Sequence, residues 1–228
     1  QGRNAVLELL KTDKNIDKIL LEKNPQGSLN KIFAEARKNN VRVQFVDKRV
    51  LDKESEDKRH QGVIAFTTDF KYASLDDILG ANGEKGGLII VCDGIEDVHN
   101  LGSIIRVAEC AGANGVIIPS NNSASVTEAV IRISAGAAQH MPVVKVNSIN
   151  RAIDELKKAN YWLYALEADG KNIYDADLSG NVALVIGGED SGVKRLTREK
   201  CDFTISLPLK GKVNSLNASV ALGIAAYE

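Results

Sequence analysis

The chain reads as an α/β protein, with a small N-terminal α/β unit followed by a larger one built on a mainly parallel sheet. Three observations predict this. From residue 88 onward, short apolar runs alternate with loops and helical stretches. Runs such as 88–92 and 182–186 are continuous Val, Ile and Leu rather than alternating, which is the signature of strands covered on both faces. Polar and glycine-rich loops follow several of these runs, at the strand ends where open parallel sheets bind ligands. At 228 residues and 24.6 kDa there is room for one large domain or two small ones.

In residues 1–67 the pattern predicts helices over 4–10, 28–39 and 49–56, and strands over 16–21, 41–46 and 63–67. Ser28 caps the second of these helices. A linker is placed at 68–75 and the larger domain at 76–228. In that region Ser74 caps a short helical stretch to 79, and the turn-rich segment 80–87 leads into the strand 88–92. Helices are then expected over 103–111, 126–137 and 149–159, with strands over 116–118, 143–146, 162–166, 182–186 and 202–207. Last comes an Ala-rich apolar helix over 218–227, opening on the capping residues Ser215 and Asn217.

Composition narrows the function classes. With 44% hydrophobic and 26% charged residues the chain reads as a soluble globular protein, and no apolar run approaches the roughly 20 residues that cross a bilayer. No charged-then-apolar leader opens the sequence. Cys92, Cys110 and Cys201 are odd in number and set in apolar runs, and His60, His99 and His140 lie in unrelated contexts. Neither a disulfide framework nor a metal site is indicated, so the expected setting is cytoplasmic, without a metal or a membrane partner. The net charge of −1 is unevenly spread, since residues 1–72 carry 15 Lys and Arg against 11 Asp and Glu, and the rest 14 against 19. A basic front on an acidic remainder is compatible with a nucleic-acid module, although a solvated Lys-rich face is the commoner cause.

Three loops hold the chemistry-bearing residues. In Asp93-Gly-Ile-Glu-Asp-Val-His-Asn-Leu-Gly-Ser-Ile-Ile-Arg106, Asn100 and Arg106 lie six apart across a helix start, with Gly102 between them. In Gly187-Gly-Glu-Asp-Ser-Gly192, Gly187 and Gly188 permit a tight turn, and Glu189 can orient or accept from a polar group. In Leu207-Pro-Leu-Lys-Gly-Lys-Val-Asn-Ser-Leu-Asn-Ala-Ser219 a polar cluster sits between a strand and an apolar helix. The first strand and helix are not joined by Gly-x-Gly-x-x-Gly, the second strand ends in Ile118-Pro-Ser without an acidic ribose clamp, and no Gly-x-x-x-x-Gly-Lys-Ser/Thr loop occurs. Dinucleotide and nucleoside-triphosphate chemistry are therefore disfavoured.

Asn100-Leu-Gly-Ser-Ile-Ile-Arg106, Ile186-Gly-Gly-Glu189 and Leu207-Pro with Asn214-Ser-Leu-Asn-Ala-Ser219, in that order, resemble the three motifs of the SpoU/TrmH family of RNA ribose 2′-O-methyltransferases within the SPOUT class. Gly2-Arg-Asn-Ala-Val6 and Arg59-His-Gln-Gly-Val63 resemble the small substrate-binding domain, similar to ribosomal L30e, carried by the branch that methylates a guanosine ribose of 23S rRNA. The resemblance implies a deep trefoil knot, an S-adenosylmethionine cofactor, RNA as substrate and a homodimer with the active site at the subunit interface. It implies that Leu166, Gly187, Gly188, Leu207 and Leu216 bind the cofactor, with the adenine between backbone groups near Leu166, Gly187, Leu207 and Leu216. It also implies that Asn100, Arg106, Glu189, Ser215 and Asn217 form the catalytic set, and that Arg3, Arg59, His60 and Gln61 meet the RNA. Asp190 follows Glu189 where many relatives have glycine, which places an extra negative charge near the RNA path.

A ribose hydroxyl must lose its proton and attack in line, so the site needs alignment and deprotonation. A guanidinium, with a pKa above about 12, is a poor base when alone. Two roles stay open for Arg106: a base or field source beside a phosphate, or a phosphate clamp while Glu189 or water takes the proton. The reading preferred is phosphate binding with electrostatic activation. The motifs also leave open a tRNA target, an antibiotic-resistance rRNA target, or an inactive RNA-binding assembly factor.

Overall fold

A computed structural model describes residues 1–12, 15–39, 41–55, 57–68, 70–80, 86–188 and 192–228, with the backbone alone at Asn15 and Thr68. The chain divides into two compact units, Gln1–Lys71 and Tyr72–Glu228.

In the first unit the order is α1 (Arg3–Leu9), β1 (Asn15–Glu22), α2 (Ser28–Lys38), β2 (Val43–Val46), α3 (Lys48–Glu54) and β3 (Val63–Thr68). β1 is central, parallel to β2 and antiparallel to β3. Alternation along β1 sends Ile19 and Leu21 to one face and Leu20 to the other. The first pair packs with Val6 of α1 and with Leu29, Ile32 and Ala36, spaced along one face of α2. On the other face Leu20 meets Val46, Leu51 and Ile64.

The second unit runs α4 (Leu75–Leu79), β4 (Leu88–Asp93), α5 (Val98–Cys110), β5 (Gly115–Pro119), α6 (Glu128–Ile133), β6 (Val143–Val146), α7 (Ile149–Lys158), β7 (Trp162–Asn172), β8 (Val182–Gly187), α8 (Arg195–Lys200), β9 (Phe203–Ser206) and α9 (Ala218–Tyr227). The six strands are ordered β6-β5-β4-β8-β7-β9 and every pairing is parallel. The order reverses direction between β4 and β8, which opens the crevice that such sheets use for ligands. On one face Ile89, Val91, Ile117, Leu163 and Val185 are buried against Ile149, Ile153 and Leu156 of α7. On the other, α5 and α9 pack together, with α9 also resting on β8. No helix is long and apolar enough to cross a membrane among the described residues.

Several expected boundaries are corrected. The helix expected over 103–111 begins at Val98, because the Asp97 side chain caps it by accepting the His99 N–H at 2.8 Å. Asn100 is therefore inside the helix. Gly102 lies inside the helix as well, and its absent Cβ is what lets α6 approach, since an added Cβ would meet Ile133 Cγ2 at 2.6 Å. The helix expected over 126–137 is α6, cut short where Ala135 and Gly136 turn left-handed, with φ 51° and 91°. β7 extends beyond 166 by a bulge: both Leu166 and Lys171 pair with Ile205, and Gly170 passes so close to that residue that only glycine fits. α8 was not expected.

Burial separates the three thiols. Cys92 is fully enclosed and its pKa is pushed up to about 12 by burial, and Cys201 is likewise raised to about 12, whereas Cys110 is exposed. Iodoacetamide at neutral pH is expected to label Cys110 on the native protein well before the other two, because the thiolate is the nucleophile and access limits it. Peptide mass spectrometry reads the order, and early labelling of Cys92 would contradict the buried β4.

Candidate functional site

A cavity of about 460 Å³ lies at the carboxyl end of β8, beside β7 where its pairing with β8 ends, and is closed by the segment leading into α9. Leu166, Gly187, Gly188, Leu207 and Leu216, the five residues expected to hold the cofactor, all line it, as do Ser215 and Asn217. The walls are built by close backbone approach. A Cβ on Gly187 would lie 1.8 Å from the Gly192 carbonyl carbon, and Gly192, at φ +60°, closes the loop by donating its N–H to the Gly188 carbonyl at 2.9 Å. Glu189 and Asp190 lie outside the described residues.

The first and third loops meet through their amides. Asn217 Nδ2 donates to Asn100 Oδ1 at 2.8 Å. Asn217 Oδ1 accepts from the backbone N–H of Ser219 at 3.0 Å, from Ser219 Oγ at 2.7 Å and from the N–H of Val220 at 3.4 Å. One side chain thus caps α9 with its oxygen and ties α9 to the buried Asn100 on α5 with its nitrogen. A double-mutant cycle of Asn100→Ala and Asn217→Ala is expected to give a coupling of about 1 kcal/mol in urea unfolding, in keeping with a part-buried neutral hydrogen bond. Strictly additive losses would mean that the two amides do not support one another.

Arg106 is not brought to this cavity. It is exposed on α5. Six residues along a helix turn it about 120° from Asn100 and carry it about 9 Å along the axis.

Two carboxylates that sequence reading missed anchor the second loop. Glu167 lines the cavity, and its Oε1 accepts the Val193 N–H at 2.5 Å. Asp93, 2% exposed at the end of β4, accepts the Lys194 N–H at 3.0 Å and pairs with Lys194 Nζ at 3.1 Å. Each directly follows a mostly buried apolar run, 88–92 for Asp93 and 163–166 for Glu167, and an acidic residue after such a run was the available signal.

The lining suits a flat, partly apolar ligand with polar edges. Leu209 and Leu216 keep 39% and 41% of their surface open, while glycine backbone and Glu167 supply polar groups around them. A sulfonium cofactor carrying an adenine fits this donor set, with leucines to cover the base and backbone groups to read its edge.

In the first unit Arg3 and Gln61 come together: Arg3 Nε donates to the Gln61 carbonyl at 2.9 Å, and the Arg3 N–H to Gln61 Oε1 at 3.1 Å. Arg59 is exposed. His60, expected to meet RNA, is instead 2% exposed, and both ring nitrogens are engaged within the protein. Its ring offers no free edge to a ligand.

Residues 87–227 match the SpoU rRNA Methylase family, and residues 1–73 match the model described as RNA 2′-O ribose methyltransferase substrate binding. The protein named "Putative TrmH family tRNA/rRNA methyltransferase YacO" in Bacillus subtilis is 40% identical over 232 residues, covering 100% of this chain and 92% of the relative. The Staphylococcus aureus (strain COL) protein named "Putative TrmH family tRNA/rRNA methyltransferase" is 42% identical over 233 residues, with 100% and 93% covered. Among solved structures, the SpoU methyltransferase AviRb of Streptomyces viridochromogenes, in complex with AdoMet, superposes with a TM-score of 0.64 at 23% identity, over 99% of this chain and 86% of that one. That likeness is one of fold, and the relatives aligned end to end add the sequence: the chain belongs to the SpoU/TrmH family of RNA methyltransferases.

Proposed function

We propose that the protein transfers a methyl group from S-adenosylmethionine to a ribose 2′-hydroxyl of RNA, with a guanosine of 23S rRNA as the target. The observation that carries this reading is the convergence of Leu166, Gly187, Gly188, Leu207 and Leu216 on one cavity beside the Asn100–Asn217 pair. When bound there, the cofactor supplies an electrophilic methyl group. The glycine backbone and the leucines hold it, and Ser215 and Asn217 shape the wall through which the ribose enters. Arg106 binds the phosphate next to the reacting hydroxyl and stabilises the charge that develops as the proton leaves, while Glu189 or water receives that proton.

Because Arg106 lies away from the cavity of its own chain, the reading includes a homodimer in which a second copy brings Arg106 to the site. α9 favours this: it is apolar on all sides, yet Val220, Ile224 and Tyr227 are 50%, 40% and 68% exposed. The reading also includes the threaded C-terminal segment of the SPOUT class and a first unit, Gln1–Lys71, that selects the RNA.

The test is incubation with methyl-labelled S-adenosylmethionine and separated rRNA and tRNA, followed by mapping of ribose methylation. A 2′-O-methylguanosine in 23S rRNA is expected. Methylation of tRNA alone would replace the target with the second reading, since the tRNA/rRNA names of the relatives include both RNAs. Absence of label in every RNA would reject the reaction.

A further inference from the structure

The turn Lys58-Arg59-His60-Gln61-Gly62 is held from inside the first unit. Gly62 donates its N–H to His60 Nδ1 at 3.0 Å, so the neutral ring carries its proton on Nε2, which faces Asp52 Oδ1 of α3 at 3.1 Å. The Gly62 carbonyl accepts the Glu22 N–H of β1 at 2.9 Å, and the His60 carbonyl accepts the Val63 N–H at 2.9 Å. On the outer side Arg3 grips the Gln61 carbonyl through Nε, and its Nη1 reaches Ser28 Oγ at 3.2 Å. Lys58 and Gln61 sit at φ 56° and 51°, a left-handed backbone that non-glycine residues keep only when their surroundings impose it. The Asp57 carboxylate accepts the Arg59 N–H at 3.0 Å, and chiefly that bond holds it below the usual carboxylate range.

This buried effort fixes an exposed cationic turn. Lys58 and Arg59 are exposed and, among the described residues, take part in no ion pair, while Arg3 spends only two of its five side-chain donors on the turn and on Ser28. We propose that Arg3, Lys58 and Arg59 form a cradle for RNA phosphates, and that the Asp52–His60–Gly62 relay is its positioning device, so that His60 governs RNA affinity without touching RNA. The proposal rests on the reading that the protein acts on RNA. It differs from the sequence-based expectation in moving His60 from the contact surface to the support beneath it. A leucine would fill the same space, but it would leave the Gly62 N–H without an acceptor and the turn without its inner anchor.

Binding of the full-length protein to transcribed 23S rRNA, measured across a salt series without cofactor, tests this. Arg59→Gln is expected to weaken binding about tenfold and to reduce the slope of log K against log salt by about 0.7 to 0.9, as loss of one phosphate contact should. His60→Leu is expected to give a similar loss and slope change. His60→Asn, whose amide oxygen can still accept from Gly62, is expected to stay within about threefold of the parent. In the Arg59→Gln background, His60→Leu should cost clearly less than it does alone, because one of the cations it aims is gone. If His60→Leu unfolds the first unit, Asp52→Ala, which removes only the outer partner, carries the same expectation. A silent Arg59→Gln, or a His60→Leu defect that is additive and leaves the slope unchanged, would overturn the proposal. Failure of methyl transfer alongside these binding responses would reject the reaction and leave the cradle standing.

Discussion

Arg106→Ala is expected to lower the rate of methyl transfer by about a hundred- to a thousandfold, the range for removing one preorganised charge at a reacting oxygen. S-adenosylhomocysteine should bind the variant within about twofold of the parent, because Arg106 is exposed on α5 and does not line the cavity. That split between chemistry and cofactor affinity separates a residue acting on the substrate phosphate from one that shapes the pocket. Single-turnover transfer with saturating RNA, paired with calorimetric titration of S-adenosylhomocysteine, reads both quantities. Retention of most of the rate would take Arg106 out of the chemistry.

Gly187→Ala should act in the opposite way, through the cavity itself. The new Cβ would fall 1.8 Å from the Gly192 carbonyl carbon and 2.1 Å from the Val193 nitrogen, and these are backbone atoms with no rotamer to yield. The loop must shift or the strand must bend. A loss of at least about 3 kcal/mol in urea unfolding is expected, at the upper end for overpacking, with S-adenosylhomocysteine affinity reduced beyond detection. Gly112→Ala is the matched control: it carries a positive φ of +73° but nothing lies within 4 Å of its Cβ, so only backbone strain of about 1 kcal/mol is added. Equal losses in the two variants would mean that the close approach at Gly187 carries no special weight.

The strands of the second unit were legible because continuous Val, Ile and Leu runs are what two-sided burial demands, and β4, β5, β6 and β8 fall on the expected runs to within a residue or two. What was misread depended on contacts and burial that no apolar period reports. The neighbour that Gly102 admits, Ile133 of α6, cannot be read from the residues around the glycine. α8 has four charged residues in six and buries only Thr197, so it offered no apolar period to find. His60 looked like a surface contact because burial of a neutral imidazole needs an acceptor and a donor, and these come from Asp52 and from a backbone turn. The polar clusters themselves were visible as residue types. Their geometry was not: the Asn100–Asn217 bond joins positions 117 apart, and no local pattern encodes such a pairing.

The lining of the cavity by residues 207–221 also has a temporal meaning. A ribosome makes β7 and β8 first and this segment afterwards, and α9 must then settle on α5 and β8, elements made before it. Until that happens one wall of the pocket does not exist, and a nascent chain has nowhere to hold a cofactor. Occupancy would thus report that residues 207–221 have been made and have settled into place, since ligand affinity and completion of this wall are written into the same stretch of polypeptide.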